Sequence, residues 1–275
     1  MNNRGFTLVE LLVGSVVMAI LGVALVRMML SDSRFVSRQE AMVAARQTAR
    51  GALNTMDVEL RMISDGGLRS AQPDSISARI PYAFGIACRN AGASAIIAAL
   101  VPPDSLLYAN AVVGGMAYQQ DDGSYQTVDG VTVASSTAVT SCSADSIFVV
   151  PGGRLVQISG ISGQPPDSGR ILYLYQDVTY RFAESAEIPG RIALWRKSGA
   201  AAYEELVAPF DTSSRFRCLA GVGLQPTDCP PAGGVDSVRG LELHLVGASE
   251  YPPRGSDAPA TFELVARLPF LNKVN

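Results

Sequence analysis

A single carboxylate stands in the most apolar stretch of this chain. From Phe6 to Val26, Glu10 is the one formal charge in 21 residues. A helix of that length rises about 31 Å, close to the thickness of a bilayer's hydrocarbon core. A carboxylate in a membrane helix costs about 2.5–3.5 kcal/mol at the helix centre and less near its end, so Glu10 asks for a partner. Arg4 and Gly5 come before the apolar run, the reverse of a secretory signal, whose small-residue cleavage site follows the apolar stretch. A cut after Gly5 would keep the apolar segment in the mature chain and give Phe6 a free amine. That amine and the Glu10 carboxylate are opposite charges in a poorly solvated place. Pairing would offset their desolvation, and pairing between chains would also fix axial register.

The remaining chemistry-bearing residues are sparse. Cys88, Cys142, Cys218 and Cys229 allow three disulfide connectivities. Cys218–Cys229 reads as a local staple around a Gly/Pro-rich loop, leaving Cys88–Cys142 to close a long one. A four-thiolate metal site is disfavoured because no CxxC pair is present. His244 is the single histidine, in the strand-like run Leu243-His244-Leu245, and nothing resembling a nucleophile elbow accompanies it. Asp121-Asp122-Gly123-Ser124 could hold calcium but lacks the ligand series of an EF-hand loop, and we read it as a hairpin turn. Arg215 and Arg217 put two charges on one face of a short strand. With a net charge of -3 there is no footprint for nucleic acid. No cofactor is expected.

These residues sit on two kinds of element. The sequence has no Pro before Pro73. Beyond Leu30, apolar residues recur at Phe35, Met42, Ala45, Ala49, Leu53, Met56, Leu60 and Ile63, mostly three and four apart, as on an amphipathic helix. Arg38, Glu40, Arg46, Arg50, Asp57 and Arg61 occupy much of the other face, and Asp65-Gly66-Gly67 is a stop signal. One helix from Phe6 to about Ser64 would be about 90 Å long. From Asp74 the pattern changes to period-two runs between Gly/Pro turns: Ser75–Ile80, Ser146–Val150, Ile171–Phe182, Arg191–Lys197, Tyr203–Val207, Val238–Val246 and Thr261–Leu268. Residues 94–101 suit either a helix or a buried strand. Strands follow strands, which favours an antiparallel sheet. Charged residues are 17% of the chain, against about 25% in an average protein. One apolar run long enough to span excludes a polytopic membrane protein.

The run Arg4-Gly5-Phe6-Thr7-Leu8-Val9-Glu10-Leu11-Leu12 resembles the class III signal of type IV prepilins and type II secretion pseudopilins. The order of the later runs, with Val178-Thr179-Tyr180-Arg181-Phe182, Ile192-Ala193-Leu194-Trp195-Arg196 and Val238-Arg239-Gly240-Leu241-Glu242-Leu243, resembles the large minor pilins of the PilW type and pseudopilin J. The resemblance implies an α+β, pilin-like fold. It implies a leader over residues 1–5, a long helix over 6–66 with 6–30 transmembrane, and a periplasmic β-rich head over 67–275. It implies cleavage between Gly5 and Phe6 by a prepilin peptidase, N-methylation of Phe6, and a role for Glu10 in register. The implied partners are that peptidase, other minor pilins and the major pilin, an inner-membrane assembly platform and membrane lipid. The implied location is the inner membrane and then a pilus or pseudopilus, at or near its tip. The implied function is a non-enzymatic minor pilin that initiates or caps pilus assembly, with a secretion pseudopilin as the alternative. An anchored periplasmic enzyme would need a catalytic constellation that the sequence does not offer.

Overall fold

The computed structural model describes residues 8–104, 108, 111–137, 142–143, 146–221 and 223–271. One helix, α1 (Leu8–Arg61), leads into strands β1 (Leu68–Ala71), β2 (Ser75–Gly92), β3 (Ala95–Leu100), β4 (Gly115–Gln119), β5 (Tyr125–Asp129), β6 (Thr132–Ser135) and β7 (Arg154–Ser159). Then come β8 (Ile171–Glu184), β9 (Ile192–Ser198), β10 (Glu204–Phe210), β11 (Arg215–Ala220), β12 (Gln225–Thr227), β13 (Val238–Ala248) and β14 (Thr261–Pro269). Among the described residues these fourteen strands join one sheet, along the path β12-β11-β13-β10-β9-β8-β2-β3-β7-β6. Each pairing in it is antiparallel. The fold is thus α+β, a long N-terminal helix packed on an antiparallel sheet.

The second half of α1 lies on β13, β14, β10 and β2. Its buried seam is Ala41, Ala45, Ala49, Ala52, Met56 and Leu60, continued by Ile63. This corrects the expected stripe. Phe35 is 61% exposed, and Met42 and Leu53 are half-buried. The reason is close approach: a Cβ on Gly247 would collide with the backbone carbonyl of Ala45. Helix and sheet backbones meet there, and only alanines fit between them. The helix also stops at Arg61, short of the expected Ser64. The Leu271 amide takes up the Arg61 carbonyl (3.0 Å), and the Ile63 amide makes a tightened turn to Leu60 (3.4 Å).

The sheet carries two main cores and two smaller apolar clusters. The first joins the helix seam to Ile76, Ala78 and Ile80 of β2, Val178, Tyr180 and Phe182 of β8, and to Phe210, Phe216, Leu241 and Leu243. The second gathers Ala83, Ala87, Ile96, Leu100, Met116, Val128, Val156, Ile158, Leu172 and Leu174, with no described residue of α1 in it. Strands β2 and β8 run through both. A register shift between Pro81 and Ala83 inserts one residue into β2, so its inward positions change from even to odd numbers while β8 keeps its parity.

Residues 94–101 resolve as strand β3. Ser146–Val150 is not a strand. Its alternation is real, since Ile147 and Val149 pack on Ile97, Leu155 and the Cys88/Cys142 pair while Phe148 is 80% exposed. Among the described residues no strand pairs with it, so the side-chain pattern is present without the ladder. Strands β1, β4, β5, β6, β7 and β12 were not expected, being short and polar or glycine-bearing.

Candidate functional site

The first half of α1 is bare. Every described residue from Leu8 to Asp32 is exposed, including Leu8, Leu11, Val16, Ile20, Leu25 and Leu30. Helix formation there follows from Leu, Val, Ala and Met without Pro, and the Ser15 hydroxyl donates to the Leu12 carbonyl (2.9 Å). A helix of this kind satisfies its own backbone polar groups, which is the condition for crossing lipid. Among the described residues α1 alone is long and apolar enough to span a membrane, and its apolar window is uncovered by the head. Glu10 lies in the first turn of α1, on this exposed surface. Gly5 and Phe6 lie outside the described residues.

Two contacts stand out where the head holds the other half of the helix. One is the alanine seam. The other is Glu59, whose carboxylate accepts from the Tyr180 hydroxyl (2.5 Å) and from Arg196 Nη2 (2.8 Å). Burial, and then the adjacent Glu59 charge, push the Tyr180 hydroxyl far up. Burial would lower the Arg196 guanidinium, but the hydrogen bond and charge of Glu59 outweigh it and raise it. The sequence pattern did not mark Glu59. It flanks the seam between Met56 and Leu60, and its partners arrive from strands more than 100 residues away.

Residues 1–26 match the family model described as the prokaryotic N-terminal methylation motif. The chain carries the type IV prepilin and pseudopilin signal. This motif and the apolar helix behind it support a membrane anchor with a head domain beyond it. It also implies processing by prepilin peptidase and assembly with other pilins. No curated protein and no solved structure matches the chain.

Of the other residues picked out in the sequence, the cysteines come together in pairs. Cys88 is bonded to Cys142 and Cys218 to Cys229. His244 sits on β13 with Nε2 2.8 Å from the Glu263 carboxylate and Nδ1 3.3 Å from the Ser213 carbonyl. The Asp121–Ser124 stretch is the turn of the β4–β5 hairpin: Asp122 accepts from the Ser124 amide (2.9 Å) and Asp121 pairs with Arg170. The Ser124 hydroxyl and amide bonds hold the Asp122 carboxyl below its ordinary range. Arg217 is held by Glu242 (3.4 Å) and Asp228 (3.7 Å), so Arg215 and Arg217 do not act as a free basic pair.

A second polar cluster, not foreseen, joins β2, β5 and β8. Arg79 Nη2 donates to both Asp129 oxygens (2.9 Å each), Tyr175 donates to Asp129 (2.6 Å), and Arg69 stands 3.5 Å from it. Partial burial would raise the Asp129 carboxyl, but the Tyr175 hydrogen bond and the two arginines hold it below its ordinary range.

Proposed function

We propose that the chain is a minor pilin: a structural subunit, present in few copies, that starts or caps a type IV pilus after cleavage at Gly5 and methylation of Phe6. The observation that carries this reading is the methylation motif on a bare apolar helix that leads into an unusually large head. Residues 67–275 are about three quarters of the chain, a bulk that suits an end of a filament better than every step along it. In the assembled state the Phe6 amine and Glu10 of neighbouring subunits pair in the lipid-like filament core. The pairing satisfies two charges that are costly alone and sets the axial step. The head surface then selects neighbours.

Mass spectrometry of the mature N-terminus tests processing. N-methylated Phe6 is the expected terminus, and any other sinks the pilin reading. Stoichiometry in purified filaments tests the rest. A ratio far below one per major subunit is expected, and parity with the major subunit would overturn the low-copy role. Recovery only with a secretion machinery would assign the chain to a type II secretion pseudopilus.

A further inference from the structure

The loop joining β13 to β14 folds back onto the helix. The Arg254 amide donates to the Ser37 hydroxyl (3.0 Å), and its guanidinium donates to the Ser33 hydroxyl (2.6 Å). Gly255 lies against the side chain of Arg34. Ser33 is three residues beyond Leu30, where the apolar run ends, so about 4.5 Å further along the helix axis. The polar layer outside the hydrocarbon is about 5–8 Å deep on each side. When residues 8–30 cross a bilayer, Arg254 and Gly255 on this loop therefore face the lipid headgroups.

Its composition suits that depth. Tyr251, on the loop, is 73% exposed. Phe35 lies about 7.5 Å beyond Leu30 and is left uncovered by the head although it continues the apolar stripe. Amphipathic aromatic rings concentrate at the membrane–water boundary. Arg34 and Arg254 are exposed, and neither makes an ion pair among the described residues. Asp32, Glu250 and Asp257 nearby keep the local charge balanced. The attraction is thus that of two guanidiniums for individual phosphates, not of a broad positive field.

We propose that the β13–β14 loop is a membrane foot. Arg34 and Arg254 bind phospholipid phosphates on the head's side of the bilayer, and Tyr251 and Phe35 lie in the headgroup layer. Before assembly the foot fixes the height and rotation of the head. The inference rests on the membrane anchoring of α1 and not on the filament role.

The test uses the full chain, whose four cysteines are bonded in pairs, with one added cysteine carrying an environment-sensitive fluorophore. Labels at Tyr251→Cys, Leu25→Cys and Phe148→Cys are compared in vesicles of phosphatidylcholine with 30% phosphatidylglycerol, spin-labelled either at the headgroup or midway down the acyl chain. The expected result is headgroup-label quenching at least threefold stronger at position 251 than at 148, with acyl-chain quenching at 25. Replacing Arg34 and Arg254 together by Ala should reduce the quenching at 251 by half or more and leave that at 25 unchanged. Quenching at 25 with no difference between 251 and 148 overturns the foot alone. No quenching at 25 overturns the membrane anchoring, and the foot falls with it.

Discussion

Glu10 and Asp129 are carboxylates with different roles. Asp129 is held within the fold by Arg79, Arg69 and Tyr175, and we assign Glu10 a role in the assembled state, toward the Phe6 amine that cleavage releases. Replacing Glu10 by Gln or Ala should therefore leave membrane insertion and head stability as they are and reduce incorporation into filaments severely. Fractionation with filament shearing measures both, and normal assembly of both variants would remove the register role. Asp129 makes a different prediction. Its folded-state pKa is depressed, so its contribution to stability is present above the unfolded value of about 4 and is lost as pH falls through the lower folded value. Asp129→Asn should thus destabilise the head at pH 7, and the gap to the wild type should narrow by pH 3. Urea unfolding at the two pH values shows this, and a gap that does not change with pH would contradict it.

At the scale of elements, the helix–sheet contact is set by backbone proximity. Gly247 admits no Cβ without moving the carbonyl of Ala45, a backbone atom that cannot swing aside. Gly247→Ala should cost about 1–3 kcal/mol as an overpacking change. Gly51, on the same helix, has only a methyl of Val207 at 4.0 Å from a new Cβ. Gly51→Ala should accordingly stabilise by about 0.5–1 kcal/mol, the usual gain in a helix interior. Thermal or urea melts of the two variants check both signs, and like signs would contradict the seam. The helix itself was legible because its periodicity is local: residues three and four apart share a face wherever the partner surface lies. Which residues on that face are buried was not legible, because β13 approaches closely enough to favour Ala45 and Ala49 and leaves Met42 at the side. Glu59 was hidden for the same reason, since Tyr180 and Arg196 reach it only through sheet topology.

For the whole molecule, two cores on one sheet mean that the head can lose part of itself without releasing the helix. The Cys88–Cys142 bond belongs to the region away from α1 and spans 54 residues, whereas Cys218–Cys229 borders the first core and spans 11. Chain entropy assigns about 4 kcal/mol to the longer loop and about 3 kcal/mol to the shorter. Replacing Cys88 and Cys142 together by Ser should lower stability by the larger amount. Hydrogen exchange should then rise first in β3 and β7 while the buried part of α1 stays protected. Faster exchange in α1 than in β3 would show that the second core is not separable in this way.

The sequence by itself determined the anchor, the methylation motif, the long helix and the antiparallel character of the head. Each of these is written in short-range information: a charge at one place in an apolar run, spacings of three and four, or alternation between turns. The sheet order, the second core, the pairing partners of Glu59 and Asp129 and the return of Arg254 to Ser33 and Ser37 were decided by tertiary structure. They join residues dozens to hundreds of positions apart, and no local pattern encodes which strand edges meet. Ser146–Val150 shows the boundary between the two. Its alternation was right, and it is still no strand, because a strand needs a neighbour and alternation does not say whether one is there.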